Sequence, residues 1–200
     1  MKKIIFRFLF LGGLSFSSCF ISTVFASEAV IVKDVFVFKV GGSVFGRNDL
    51  FGYYNASKLY NCMSKTSLVN TYFDNIFNEK KSAVFQHESL SISVKEKDYY
   101  SDYLPFAKIL MYSKSFDLSL DKTQIIKKLN KSNCLKKESH LDLNEKELFE
   151  IASLDFFLKS RFLPQTPEYE VTSKDLIKAK SGVKNLINSI FKQIDQEVYW

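Results

Sequence analysis

Residues 34–50, DVFVFKVGGSVFGRNDL, hold the pattern that decides the fold. β-branched and aromatic residues dominate its first part, which predicts a strand over 30–38. Gly41-Gly42 follows, a pair that tolerates the positive φ angles of a tight turn, and Ser43–Phe45 is a short return strand. Because a two-stranded hairpin is only marginally stable alone, we expect it to pack against helices.

A helix follows the hairpin directly. Asn48 is a typical N-cap, Asp49 places a negative charge in the first turn, and apolar residues continue at helical spacing to about Met63. Periodicity and capping patterns predict further helices over 66–79, Asp102–Tyr112 with Pro105 near its first turn, a segment opened by Asp121, Asp142–Phe162, and a last helix capped by Thr172 to Asp175. Ser89–Lys97 alternates and predicts an edge strand. The expected fold is mainly α with a small N-terminal β-hairpin, in one helical domain over 27–200.

The first 26 residues have the features of a secretory signal peptide. Three basic residues precede an apolar run from Phe8, no acidic residue occurs, and Val24-Phe25-Ala26 fits the cleavage position. We therefore expect removal of residues 1–26 and a periplasmic or secreted protein, with no transmembrane segment in the mature chain. Two alternatives stay open: a retained membrane anchor, and a lipoprotein anchored through a lipid on Cys19.

The charge balance gives little reason to expect a nucleic-acid partner. Removal of the signal peptide would leave 25 basic against 22 acidic residues, a net charge of +3 instead of +6. Only the segment 122–137 is locally basic, with six lysines and no acidic residue. The ordinary interpretation is a solvated helix face and loop, and the alternative is peripheral contact with an anionic membrane surface.

Two cysteines, Cys62 and Cys134, remain outside the signal peptide. In an exported protein such a pair predicts a disulfide, which would stabilise the fold by roughly 4 kcal/mol in the chain-entropy model. Two free thiols are the alternative. The absence of a CxxC motif from the sequence argues against a thioredoxin-like redox role.

The sequence offers no recognisable catalytic constellation. His87 and His140 are its two histidines, and neither is accompanied by further ligands at a metal-binding spacing. Gly42-Ser43 fits neither a nucleophile elbow nor a phosphate-binding loop. We therefore expect no catalytic residue, no metal site and no cofactor.

Aromatic residues are the most distinctive part of the composition, with 20 Phe, 10 Tyr and one Trp. Clustered tyrosines combine a large apolar face with a polar tip, and such residues suit a surface that binds extended peptide segments. The candidate peptide-binding residues are Tyr53, Tyr54, Tyr99, Tyr100 and Tyr103. Packing in the core is the alternative interpretation of the same residues.

The opening stretch resembles the mature N-terminus of exported chaperones and prolyl isomerases of the SurA/PpiC type. In that family a strand, a V-N-G turn and a return strand lead into a helix through a polar residue followed by D-L. The patterned positions are occupied here by Val40, Gly42, Phe45, Asp49 and Leu50. Three residues depart from the family pattern: Gly41 replaces the usual Asn, Phe45 the usual Ile and Asn48 the usual Ser. The helix over 149–162 followed by Glu170–Leu176 is similar to the family's C-terminal arrangement of a helix and V-T-D-E-E-V.

The resemblance implies a helical, chaperone-like domain similar to the SurA N-terminal domain, without the isomerase module. None of the matched residues is catalytic in that interpretation. The leading hypothesis is an exported, non-catalytic protein that binds unfolded or extended polypeptides in a groove between helices. The alternative is a cell-envelope structural or assembly module that binds one fixed protein partner, and an enzyme of unrecognised type is the third hypothesis.

Overall fold

The computed structural model describes residues 34–78, 92–116, 118, 120–137, 144–164 and 170–199, all within one compact unit, Lys33–Trp200. These residues hold three strands, β1 Phe36–Val40, β2 Ser43–Gly46 and β3 Gln196–Val198. They also hold seven helices, α1 Arg47–Met63, α2 Leu68–Tyr72, α3 Val94–Ser113, α4 Lys122–Lys131, α5 Cys134–Lys137, α6 Glu145–Phe162 and α7 Ser173–Ile190. The predicted fold class, mainly α with a small β-hairpin, is confirmed. The expected signal peptide, Cys19 and both histidines lie outside the described residues.

The sheet is a three-stranded antiparallel one in which β1 lies between β2 and β3. Gly41 and Gly42 form the predicted turn, with φ angles of +54° and +84° that favour glycine. The sheet packs against the helices through three fully buried side chains of β1, Val37, Phe38 and Val40. The sequence did not predict β3, which comes from the C-terminal end of the chain and pairs Val198 with Phe38.

The N-cap of helix α1 lies two residues earlier than the predicted cap at Asn48. Gly46 is the N-cap, and its N–H donates to Asp49 Oδ2 at 2.8 Å. Asp34 occupies the space beside this cap and accepts from the Asn48 N–H at 3.1 Å. A Cβ on residue 46 would lie 1.9 Å from Asp34 Oδ2, so any larger residue here would displace the Asp34 carboxylate from the helix start.

The predicted edge strand over Ser89–Lys97 is wrong where the structure describes it. Residues from Val94 onward belong to α3, because Ser93 and Glu96 form a reciprocal capping box that opens a helix. Glu96 is buried and pairs with Arg47 at 2.9 Å, which joins the start of α3 to the start of α1. Pro105 lies inside α3 instead of in its first turn, and the helix predicted over 66–79 is limited to α2.

A buried carboxylate joins three of the helices. Asp155 on α6 is 0% exposed and accepts from the Leu68 and Val69 N–H groups at 2.6 and 3.3 Å. It also accepts from Tyr60 Oη at 3.0 Å and forms an ion pair with Lys159 at 2.9 Å. Since α1 supplies Tyr60 and the first two residues of α2 supply the amides, this one side chain fixes α1 and α2 on α6.

The predicted disulfide is confirmed. Cys62 near the end of α1 is bonded to Cys134 at the start of α5, with the Cα atoms 5.9 Å apart. The bond holds the segment that contains α4 and α5 against α1. The predicted caps at Asp121 and Thr172 are also confirmed, and Asn144 caps α6.

None of the described helices combines the length and apolar character needed to cross a bilayer. Disulfides persist in oxidising surroundings outside the cytoplasm, so the Cys62–Cys134 bond is compatible with an extracellular location.

Candidate polypeptide-binding groove

The predicted peptide-binding tyrosines are core residues, so the expected tyrosine surface is wrong. All five are almost completely buried, namely Tyr53, Tyr54, Tyr99, Tyr100 and Tyr103. Their hydroxyl groups find partners inside the protein: Tyr99 donates to the Ile76 carbonyl at 3.0 Å, and Tyr100 accepts from Arg47 Nε at 3.0 Å. Burial raises the pKa of the Tyr53, Tyr99 and Tyr103 hydroxyls, which therefore stay neutral.

An open groove lies instead between the C-terminal end of α3, the first turn of α4 and the N-terminal half of α6. Its larger lobe has a volume of about 460 Å³. Leu110, Phe116, Leu118 and Phe149 supply its apolar lining. The polar lining residues are Ser113, Lys114, Lys122, Lys146, Glu150 and Ser153.

A smaller lobe of about 210 Å³ continues the groove between α4 and α6. The first turns of these two helices line it, with Ile125 and Ile126 on one side and Leu148 on the other, beside Glu145. Lys122, Lys146 and Phe149 line both lobes. We call the two lobes together the α4–α6 groove.

Aromatic rings form the apolar part of the α4–α6 groove. Phe116 is 39% exposed and packs edge-on against Tyr112, with their ring centres 5.2 Å apart. Its other neighbour is Phe157, at 5.1 Å between ring centres, which belongs to the buried core. Lys122 Nζ lies 4.7 Å from the centre of the Phe149 ring, within the range of a cation–π contact.

One carboxylate on α6 lines the groove, and a second lies behind it. Glu150 accepts from Lys114 Nζ at 2.7 Å and also from the Tyr53 hydroxyl. Glu147 lies behind the groove, buried at the contact between α6 and α1, with Lys146 Nζ at 3.7 Å. Burial raises the pKa of Glu147, and its Oε2 atom has no hydrogen-bond partner in the described structure.

A second concavity, of about 400 Å³, has a mostly polar lining: Ser57, Lys58, Asn61, Asn70, Asp74, Phe77 and Asn78. Its one ring, Phe77, is buried edge-on against Tyr103 and Phe106, so it offers no exposed aromatic face. In the part of the chain that the structure describes, no group of three or more His, Cys, Asp or Glu residues converges on a metal site.

The sequence predicted Lys122 in a basic segment and Phe149 in a helix, but it did not predict that the two side chains are in contact. The groove residues come from three segments that are distant in the sequence, and Phe116 follows the end of α3 in a turn without periodicity. The available signal was the capping pattern at Asp121, which places Lys122 in the first turn of a helix.

Comparison with known proteins adds no relative to this description: no protein-family model, curated protein or solved structure matches the chain.

Proposed function

We propose that this protein is an exported, non-catalytic, chaperone-like protein that binds unfolded or extended polypeptide segments in the α4–α6 groove. The observation that carries the proposal is the open groove itself, in which the exposed Phe116 ring and the Phe149 ring lie beside hydroxyl, carboxylate and ammonium groups. Such a lining suits a polypeptide, because rings receive apolar side chains while polar groups bind main-chain N–H and C=O groups.

The mixed lining favours a polypeptide over a lipid chain. An alkyl chain gains most from a uniformly apolar cavity, and here it would displace water from polar groups such as Glu150 and Ser153 without replacing the water's hydrogen bonds. An extended peptide supplies donors and acceptors at every residue. Contacts of this kind are individually weak, so they suit a protein that binds many different clients.

Two further observations support the proposal. The turn at Gly41-Gly42 and the helix that follows it, with Asp49 in the first turn, have the arrangement that the SurA/PpiC-type resemblance implies. The Cys62–Cys134 disulfide suits a protein that works in the periplasm or another oxidising compartment.

The test is suppression of aggregation by the purified, oxidised mature protein. A chemically unfolded outer-membrane protein is diluted into buffer, and light scattering is followed at near-equimolar ratio. We expect the wild-type protein to slow aggregation, and Phe116→Ser alone or with Phe149→Ser to weaken this effect. Phe156→Ser is the matched control, because Phe156 is 46% exposed on α6 but does not line the groove.

Folding of each variant is verified by near-ultraviolet circular dichroism before the assay. Absence of suppression at a molar excess of wild-type protein would refute the proposal. Equal loss of suppression in the Phe156→Ser control would show that the groove is not the binding site. Suppression limited to one client among several unrelated ones would favour the alternative of an assembly module with a fixed partner.

A further inference from the structure

We infer that the α4–α6 groove selects polypeptide segments in which an acidic residue neighbours an aromatic one. The inference rests on the proposed function and adds the chemistry of the preferred client. It follows from the position of the lysines relative to the Phe149 ring, and from the way the groove's own carboxylates are used.

The Phe149 ring lies where the two lobes meet, and cationic groups accompany it in both. Lys122 and Lys146 line each lobe, and the Lys122 ammonium lies 4.7 Å from the ring centre. A client ring that packs on Phe149 therefore lies next to the Lys122 ammonium. A carboxylate one residue away on the client is then within reach of a lysine, because neighbouring Cα atoms are only about 3.8 Å apart.

The charge of the larger lobe is not balanced by its own residues. Three lysines line it, Lys114, Lys122 and Lys146, against one lining carboxylate, Glu150, while the buried Glu147 lies behind the groove with Lys146 Nζ at 3.7 Å. Glu150 is already engaged by Lys114 at 2.7 Å and by the Tyr53 hydroxyl. A client carboxylate beside the Phe149 ring would thus meet the Lys122 ammonium, whereas a client lysine there would be repelled by it.

The surroundings of the smaller lobe reinforce this preference. Exposed lysines continue along α4 beyond the groove, including Lys127 and Lys131. The first turns of α4 and α6 both line the lobe, and the N-terminal end of a helix carries partial positive charge. Glu145 lowers the local potential, but it is one carboxylate beside Lys122 and Lys146.

The experiment measures fluorescence anisotropy of three short labelled peptides of equal length, with oxidised mature protein at low salt. Each peptide carries phenylalanines flanked by Asp, by Asn or by Lys. We expect the Asp peptide to bind about 3- to 10-fold more tightly than the Asn peptide, as two partly exposed ion pairs allow, and the Lys peptide to bind most weakly. Because salt screens such pairs, the difference should disappear at high ionic strength.

Substitutions of lysines test whether the groove causes the preference for the Asp peptide. Within the Lys122→Gln with Lys146→Gln variant, the affinity for the Asp peptide should fall to that for the Asn peptide. Lys127→Gln with Lys131→Gln is the control of equal charge loss, since these exposed lysines do not line either lobe. All four side chains are exposed, so the variants are expected to fold.

The outcomes separate the two claims. Equal affinity for the Asp and Asn peptides would overturn the inference and leave the proposed function intact, whereas failure of all three peptides to bind would count against the proposed function itself. An equal effect of both lysine pairs would overturn the inference, because it would reveal only general attraction to a basic surface. Phosphatidylglycerol vesicles that displace the Asp peptide, with binding lost in Lys122→Gln with Lys146→Gln, would assign the lysines to an anionic membrane and also overturn it.

Discussion

Removal of the Cys62–Cys134 disulfide should destabilise the protein strongly without changing its fold. The bond joins residues 72 apart in the sequence, and a closed loop of that length corresponds to about 4 kcal/mol in the chain-entropy model. Domains of ordinary size are stable by only about 5–15 kcal/mol, so we expect Cys62→Ala with Cys134→Ala to lose a large fraction of the total. Alanine is the appropriate replacement because Cys134 is buried and a serine hydroxyl would add its own desolvation cost.

The assay is urea unfolding of the oxidised wild type and the double variant, each with and without a reductant. The midpoint should fall in the double variant and in the reduced wild type by the same amount, while reductant leaves the double variant unchanged. The urea dependence should also become steeper, because the unfolded chain without the crosslink exposes more surface. A free energy of unfolding within about 1 kcal/mol of the wild type would refute the reasoning, since it would mean that the loop entropy is already lost in the unfolded chain.

Two further substitutions test buried carboxylates. Asp155→Asn should lower the free energy of unfolding in urea by about 3–5 kcal/mol, because the Asp155 charge binds both Lys159 and the main-chain N–H groups at the start of α2. The control Asp98→Asn, on the exposed side of α3, should change stability by less than about 0.5 kcal/mol. Similar losses in both variants would contradict this role of Asp155. Glu147→Gln tests the pH dependence of stability. Burial raises the pKa of Glu147 in the folded protein, so ionisation of this carboxyl favours unfolding. The wild type should therefore lose stability relative to the variant as the pH rises from about 4, the pKa of glutamate in an unfolded chain, through the raised pKa of the folded protein. A difference between the two that is constant from pH 3 to neutrality would show that the carboxyl titrates alike in both states.

Local chemistry accounts for the parts of the fold that could be predicted. The two-glycine turn needs only Gly41-Gly42, and the start of α7 needs only Thr172 and Asp175, which cap each other's backbone N–H groups. Non-local pairing accounts for what was missed. Strand β3 is three residues long and forms only because β1 offers it an edge, so nothing in its own sequence identifies it.

Competing local signals explain the main error in the fold. Leu90, Ile92 and Val94 alternate as in a strand, but the same region contains Ser93 and Glu96 at the spacing of a capping box. The tertiary structure decides between them. Glu96 is needed at the helix start both to accept from the Ser93 N–H at 2.6 Å and to neutralise the buried Arg47.

The error at the site has a different physical cause, which concerns where a tyrosine hydroxyl can be satisfied. Tyr99 and Tyr103 lie four residues apart, so α3 directs both to the same face, and that face is the core. Their hydroxyls lie 3.2 Å apart, and Tyr99 also donates to a main-chain carbonyl, so neither needs water. Clustering along the sequence therefore could not distinguish a binding surface from an internal hydrogen-bonded network.

The same packing explains why binding is expected at the edge of the molecule. Rings in the core, including Tyr103 and Phe106, pack edge to face and are closed to solvent, and such a core resists rearrangement. Helix α4 has one fully buried side chain, Leu129, and the disulfide at Cys134 retains the segment that follows it. A groove wall with few buried contacts can adjust to different side chains at low cost in free energy, while the crosslink keeps it on the protein. If the proposed function holds, breadth of binding and stability of the fold depend on different parts of the chain.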